Sequence, residues 1–167
     1  GVERVDNELA AYGWPYCELL GVLAPYMREG ATEKSAESKY VSYDAGDNLM
    51  LDLVAPPFEA YMYVDYFLMD GSVIHLLPNP LAIMNKTTPS QRIRIGEPGP
   101  NKPFWEISPP FGKEMITIIG AKKPLFTENR PEVEEASEYM KELGNAMQAQ
   151  GASGLSANYT FVVTQAR

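Results

Sequence analysis

His75 is the only histidine in the chain, and the residues near it decide what chemistry the sequence could perform. It lies within residues 59–79, where two apolar, aromatic-rich runs flank Asp70-Gly71. This dipeptide between apolar runs predicts a β-hairpin, because a type I′ turn needs φ > 0 at both central positions. The first run also contains Asp65, so the hairpin register decides whether His75 and Asp65 can act together.

Two registers of this hairpin are compatible with the sequence. With a two-residue turn, His75 shares a core-facing side of the hairpin with Met62, Val64, Tyr66 and Leu68. With a three-residue loop and a glycine bulge, the second strand shifts by one residue, and His75 joins Tyr63 and Asp65. Such a shift exchanges the faces of a whole strand. We favour the first register, because a two-residue turn is preferred after Asp-Gly; the second would give a His/Asp/Tyr cluster able to bind a ligand.

The favoured register predicts how His75 responds to pH. In apolar surroundings, desolvation disfavours the charged imidazole, so the pKa of His75 is predicted to lie below the roughly 6.5 of a free histidine. Acidification would then destabilise the domain, because the unfolded chain takes up a proton that the native state resists.

The candidate ligand-binding residues are Tyr63, Asp65, His75, Asn79 and Trp105. Asp65 lies on a strand with two apolar faces, where a carboxylate must be hydrogen-bonded or compensated in charge. It is either the anchor of a pocket or a structural acceptor for a tyrosine hydroxyl or loop amides.

Two further groups of residues could form surfaces. Six aromatic residues would bind a sugar or peptide if exposed together, but we favour a core role; they are Trp14, Tyr61, Tyr63, Phe104, Trp105 and Phe111. Five basic residues could form a patch for an acidic partner, although scattered surface charges are the simpler interpretation; they are Arg92, Arg94, Lys113, Lys122 and Lys123.

The sequence contains no established catalytic or cofactor signature. We find no G-x-S-x-G, H-E-x-x-H, Walker A, dinucleotide-binding glycine pattern or C-x-x-C. The single cysteine, Cys17, permits neither an internal disulfide nor a multi-thiolate metal site. The predictions are therefore no catalytic residues, no metal and no cofactor.

Composition restricts the class of partner. The formal net charge of -8 argues against binding to nucleic acid or to an anionic membrane, because both would repel the chain. No apolar run approaches the roughly 20 residues of a transmembrane helix. Because the sequence begins with Gly1, we expect a fragment or processed product of a longer protein.

Hydrophobic periodicity predicts a mainly β fold, an antiparallel two-layer β-sandwich of about seven strands. Residues 1–37 are predicted to form a helical appendage and linker, and residues 38–167 the β-sandwich module. One amphipathic helix is predicted over 131–149, capped by Asn129 and Glu132. It would bury Val133, Ala136, Met140 and Leu143. A short strand is predicted over 104–107.

From about residue 38 to its end, the chain resembles the bacterial domain-of-unknown-function family 4384. The resemblance is carried by GDNL at 46–49, YMYVDYF at 61–67, DGSVIHLLPN at 70–79, WEI at 105–107, PPFGKE at 109–114 and PLF at 124–126. It implies a compact β-rich module, usually C-terminal, found behind serine/threonine kinase or caspase-like domains or in exported proteins. No activity or ligand is established for the family, so the resemblance assigns no site residues.

These observations favour a non-catalytic interaction or sensor module of a larger bacterial envelope or signalling protein, with a protein partner. The alternative is a small-ligand or glycan-binding domain, or a hydrolase that uses Asp65, His75 and a glutamate. The expected location is the bacterial cell envelope or periplasm, with the cytoplasm as the alternative.

Overall fold

Strand β3 (Ala60–Phe67) is the centre of the domain, because its side chains are buried on both faces of the main sheet. The computed structural model describes residues 13–27 and 40–167. The other strands are β1 (Tyr40–Asp44), β2 (Leu51–Val54), β4 (Ser72–Leu77), β5 (Lys86–Thr87), β6 (Arg92–Ile95), β7 (Lys113–Ala121), β8 (Val133–Glu135) and β9 (Leu155–Gln165). The α-helices are α1 (Tyr16–Leu23) and α2 (Ala136–Gln150), with short 3₁₀ turns at Ala24–Tyr26 and Ala152–Gly154.

The described strands form two sheets of unequal size. Seven belong to one sheet with the order β1-β9-β7-β3-β4-β8, in which β5 also pairs with β3. Strands β2 and β6 form a separate two-stranded antiparallel sheet. The large sheet is mixed, because β1 runs parallel to β9 while its other pairs are antiparallel. The prediction of a mainly β fold is confirmed.

The two faces of the large sheet pack into different hydrophobic clusters. On β3, the odd-numbered Tyr63 and Phe67 belong to one cluster, and the even-numbered Met62, Val64 and Tyr66 to the other. This alternation follows from the two-residue period of a strand. The helices contribute to the odd-numbered cluster and the small sheet to the even-numbered one.

Helix α1 begins immediately after Pro15 and lies within the predicted helical appendage. Its residues Tyr16, Leu19 and Leu23 are buried in the same cluster as Leu143 of α2. The rest of the predicted appendage and linker, residues 1–12 and 28–37, lies outside the described residues. The division into 1–37 and 38–167 stays a prediction.

Helix α2 is shorter than predicted, because the segment before it forms strand β8. The capping box of Asn129 and Glu132 is therefore wrong, and Val133 is 52% exposed rather than buried. Strand β8 pairs antiparallel with β4, and the His75 N–H donates to the Glu132 carbonyl oxygen at 2.9 Å. Residues 133–135 therefore pair with the edge of β4 instead of forming the first turn of the helix. Ala136, Met140 and Leu143 are buried as predicted.

The predicted strand over 104–107 is also absent; only Glu106 forms an isolated bridge, with Asn48. This segment instead exchanges loop hydrogen bonds with residues 46–49. No helix of the described residues is both long enough and apolar enough to cross a membrane.

Candidate functional site

The hairpin of β3 and β4 adopts the register that the turn dipeptide did not favour. Asp65 pairs with His75, and Phe67 pairs with Val73. The Leu68 N–H donates to the Ser72 carbonyl oxygen at 2.9 Å, which leaves a three-residue loop that ends in Gly71 at φ +88°. The prediction of a two-residue turn, with His75 among apolar side chains of β3, is therefore wrong.

His75 lies between two carboxylates. Its Nδ1 is 2.6 Å from Asp65 Oδ1, and its Nε2 is 2.9 Å from Glu134 Oε2. Ionised carboxylates can only accept hydrogen bonds, so a position between two of them favours a ring that donates from both nitrogens, which is the imidazolium form. His75 is 2% exposed and Asp65 is 1% exposed, so this ion pair is removed from solvent.

Helix α2 and the preceding loop complete the arrangement. The hydroxyl of the buried Tyr139 donates to Asp65 Oδ2 at 2.6 Å. Arg130 Nε donates to Glu134 Oε2 at 2.9 Å, and its terminal nitrogens contact Glu134 and the exposed Glu142. We call Asp65, His75, Arg130, Glu134 and Tyr139 the buried charge network. It joins β3, β4, β8 and α2, so folding must bring all four elements together to form it.

The pKa values within this network follow from the contacts. Burial by itself lowers the pKa of His75, but hydrogen bonding and attraction from Asp65 and Glu134 outweigh burial, so the pKa is raised. This reverses the direction predicted from the sequence. For Glu134, burial by itself raises the pKa, but hydrogen bonds from Arg130 and His75 outweigh burial and lower it. Both shifts favour the charged forms.

A cleft on the other face of the large sheet has a different character. Its volume is about 390 Å³, and its walls include Tyr66 of β3, Glu114 of β7 and residues of the loop 104–110. We call it the Glu114 cleft. Its lining contains the carboxyl groups of Asp70, Glu106 and Glu114, and none of its lining residues is Lys, Arg or His.

Glu114 is the buried acid of this cleft and is 3% exposed. It accepts a hydrogen bond from the Tyr66 hydroxyl and another from the Met69 N–H at 3.1 Å. Burial is the main cause that raises the pKa of Glu114, and the charge of Asp70 adds to it, whereas the two hydrogen bonds act in the opposite direction. Unlike Glu134, this carboxyl group has no cationic side chain among its hydrogen-bond partners in residues 13–27 and 40–167.

One wall of the Glu114 cleft is held in place by backbone hydrogen bonds. The Leu49 N–H donates to the Trp105 carbonyl oxygen, and the Ile107 N–H donates to the Asp47 carbonyl oxygen, each at 2.8 Å. The Trp105 N–H also donates to Asn48 Oδ1 at 3.1 Å. Although it forms no strand, the segment is therefore fixed.

The candidate binding residues predicted from the sequence do not form one site. Tyr63 joins the odd-numbered cluster, where its hydroxyl accepts a hydrogen bond from the Leu125 N–H at 2.9 Å. Asn79 is buried and holds the turn after β4, accepting from the N–H groups of Leu81 and Ala82. Trp105 lies in the even-numbered cluster and lines the Glu114 cleft.

The other candidate groups are divided as well. Trp14 and Phe104 are exposed, whereas Tyr63 and Trp105 are buried, so the aromatic residues form neither one platform nor one core. Of the basic residues, Arg94 pairs with Asp52 on the small sheet, and Lys122 and Lys123 line another cleft. No group of three His, Cys, Asp or Glu side chains in the described residues is arranged to hold a metal ion.

Sequence reasoning missed the residues that define both regions. Arg130 and Tyr139 were absent from the candidate site, and nothing in their local sequence indicates a buried partner. Glu114 carried a usable signal, because a single acid precedes the apolar run Met115–Ala121 on β7. The side chain of an acid at the start of a buried strand either reaches solvent at the end of the strand or is hydrogen-bonded inside the protein.

Comparison with known proteins gives one family. Residues 42–124 match the family model described as a domain of unknown function (DUF4384). The match includes β2 to β7 and the wall of the Glu114 cleft, whereas α2 and β9 lie beyond it. No curated protein and no solved structure matches the chain significantly. The resemblance to this family that the sequence predicted is therefore confirmed over residues 42–124.

Proposed function

We propose that this domain is a non-catalytic interaction module of a larger bacterial envelope or signalling protein. The observation that supports the proposal is that the groups of the buried charge network are buried and already bonded to one another. A general acid or base must come within hydrogen-bond reach of a substrate proton. His75 and Asp65 are buried, and both ring nitrogens of His75 are already bonded to carboxylates. The network supports a structural role rather than turnover.

Exposed apolar side chains support binding to another protein. Leu81, Ile83 and Met84 are exposed on the loop between β4 and β5. Grouped exposed apolar side chains are typical of protein-interaction surfaces. The domain arrangement implied by the family resemblance, behind kinase or caspase-like domains or in exported proteins, supports the bacterial envelope or signalling context.

The large sheet provides the rigid scaffold for such a surface. We propose that β2 and β6 act as the second layer of a β-sandwich over the even-numbered face. Leu51 of β2 and Ile95 of β6 share a hydrophobic cluster with Met62 and Ile116 of the large sheet, which supports this layering.

A small-ligand or glycan-binding domain is the second candidate. The observation in its favour is the Glu114 cleft, whose volume of about 390 Å³ is within the range of small-molecule sites. The cleft also presents the exposed ring of Phe104, against which a sugar could stack.

Photo-crosslinking tests the interaction module directly. We expect Met84→p-benzoylphenylalanine to give a discrete protein adduct in the cells that make this protein. The same replacement at the exposed Lys141 of α2 is the matched control and should give none. Equal labelling from both positions, or no adduct from either, would contradict the proposal.

A hydrolase screen tests the non-catalytic part of the proposal. Purified protein should show no turnover of ester, peptide, phosphate or glycoside substrates. Turnover that disappears in Asp65→Asn or His75→Gln, with the fold retained, would establish an enzyme instead.

A further inference from the structure

We propose that the Glu114 cleft binds a positively charged group, a lysine ammonium or arginine guanidinium, presented by a protein partner. The inference rests on the proposed function only for the source of this group, which is a protein. The assignment of charge comes from the cleft itself.

Negative charge predominates in the lining of the cleft. Asp70, Glu106 and Glu114 contribute three carboxyl groups to the lining, and no lining residue is basic. The whole chain carries a formal net charge of -8, so its overall charge also attracts cations. A cation in the cleft would reduce the repulsion between Asp70 and Glu114, which raises the pKa of Glu114 in addition to burial.

The three acids of the cleft are available to a bound cation. Glu106 is exposed, and no hydrogen bond or ion pair of its carboxylate is found among the described residues. The Asp70 carboxylate accepts two bonds from Ser72, which hold it in position on the exposed turn. Within the described part of the chain, the donors to Glu114 are both uncharged, namely the Tyr66 hydroxyl and the Met69 N–H. Hydrogen bonds between a cation and a carboxylate are stronger than neutral ones.

Two aromatic residues of the cleft suit a cationic group carried by a peptide. Phe104 is 59% exposed at the cleft, where its ring face could contact a cation. Trp105 is 9% exposed, and its buried Nε1–H has no acceptor among the described residues. An unpaired buried donor is unfavourable, and a peptide whose binding shifts the neighbouring side chains would bring a carbonyl oxygen to accept from it. A free ammonium ion brings no such acceptor.

A fluorescence titration tests the inference in the 167-residue chain. The chain contains two tryptophans, and the exposed Trp14 can be replaced by Trp14→Phe, which leaves Trp105 as the reporter. The probe is acetyl-Gly-Gly-Arg-Gly-Gly-amide. Its control is the same peptide with citrulline, which keeps the shape of arginine but lacks the charge. We expect saturable binding of the arginine peptide and at least roughly tenfold weaker binding of the citrulline peptide.

Two variants then locate the bound charge. Glu106→Gln should weaken the arginine peptide roughly tenfold, because it removes an exposed carboxylate from the cleft without disturbing the core. Glu138→Gln, on the outer face of α2, makes the same change in net charge elsewhere and should leave the affinity unchanged. Equal losses in the two variants would show attraction by net charge alone and would overturn the site.

Other outcomes also decide the question. Equal binding of arginine and citrulline peptides, or no saturable signal at millimolar peptide, would overturn the inference. A response to N-acetylglucosamine without a response to the arginine peptide would assign the cleft to glycans. Free arginine binding as tightly as the peptide would overturn the protein source. None of these results bears on crosslinking at Met84, so the inference and the proposed function can fail separately.

Discussion

The domain places a carboxyl group against a tyrosine hydroxyl in two regions, with opposite consequences. In the buried charge network, Asp65 accepts from Tyr139, and His75 links it to Glu134. In the Glu114 cleft, Glu114 accepts from Tyr66, and no cation of the described residues bonds to it. The pKa of Glu134 is lowered by its cationic partners, whereas that of Glu114 is raised, mainly by burial.

The comparison shows what separates a structural carboxylate from one available for binding. Inside the network, each charge already has a partner of opposite sign, so a further ligand would have to displace one. In the cleft, negative charge is gathered without compensation next to open volume. A carboxyl group bonded to a tyrosine hydroxyl is therefore part of a compensated structural network in one region, whereas in the other region its negative charge is not compensated by a cation.

The largest expected effect comes from opening the network at Asp65. Asp65→Asn leaves the buried imidazolium of His75 with one carboxylate instead of two. Removing one partner of a buried ion pair typically costs about 3–5 kcal/mol, and we expect a loss of that size in the free energy of unfolding. Urea denaturation measures it.

The matched control for Asp65→Asn is Asp52→Asn. Asp52 is also ion-paired, with Arg94, but both side chains are exposed. Exposed pairs contribute little, so this variant should unfold at the same urea concentration as the wild type. Similar behaviour of the two variants would mean that the network does not hold the elements together.

The second effect concerns the helix that covers the network. Leu143 of α2 is buried in the odd-numbered cluster, so Leu143→Ala should destabilise the domain by about 2–5 kcal/mol. Glu138→Ala on the exposed side of α2 should change stability by no more than about 0.5 kcal/mol. A loss well under 2 kcal/mol for Leu143→Ala would indicate that α2 is loosely attached and does not close the network.

The sequence predicts the hairpin but not its register, and this failure has a physical cause. Asp70-Gly71 favours a two-residue turn, a local preference. In the folded domain, Asp65 also meets Tyr139 of α2, and His75 meets Glu134 of β8. The bulged register is the one that gives His75 both carboxylates. These partners are distant in sequence, so local turn chemistry could not reveal them.

Helix α2 illustrates the same limit at an element boundary. The stripe of Ala136, Met140 and Leu143 is visible in the sequence and is buried as predicted. The residues before it are compatible with a helix too, but the free edge of β4 pairs with β8 instead. The Glu114 cleft could not be predicted from the sequence either, because it forms where β3, β7 and the irregular segment 104–110 meet, and these segments are distant along the chain.

The third effect is the pH dependence contributed by His75. Its pKa is raised in the folded domain, so the native state holds a proton that the unfolded chain releases. The stabilisation is complete below the unfolded value of roughly 6.5 and is lost as pH rises through the folded pKa, at no more than about 1.4 kcal/mol per pH unit. Denaturation across this range should show the loss, and His75→Gln should reduce it.

An NMR titration of the single imidazole gives an independent measurement. We expect a pKa above that of a free histidine. A value below it would mean that burial outweighs Asp65 and Glu134, and the network would then contain a neutral ring. The comparison between the two regions would then rest on Arg130 alone as the cation beside Glu134.

The smallest expected effect is the difference in pH dependence between Glu114→Gln and Glu134→Gln. Glu114→Gln keeps an oxygen that can accept from Tyr66 and the Met69 N–H, so the change should stay below about 1.5 kcal/mol. The native state binds a proton at Glu114 more strongly than the unfolded chain does, because the folded pKa is raised. Wild-type stability is therefore lost as pH rises from the ordinary glutamate range through the folded pKa. Relative to the wild type, Glu114→Gln should be more favourable at about pH 8 than at about pH 4.

Glu134→Gln should show the opposite trend. The pKa of Glu134 is lowered in the folded domain, so its ionised form contributes stability above the unfolded pKa, and that stability is lost as pH falls through the folded value. The penalty of Glu134→Gln should accordingly be larger at about pH 8 than at about pH 4. Urea denaturation of the two variants at both pH values gives the signs directly. The stability differences of the two variants from the wild type could instead follow the same pH trend. The cations beside Glu134 would then not distinguish the two regions, and Glu134 could no longer serve as the compensated carboxylate with which Glu114 is compared.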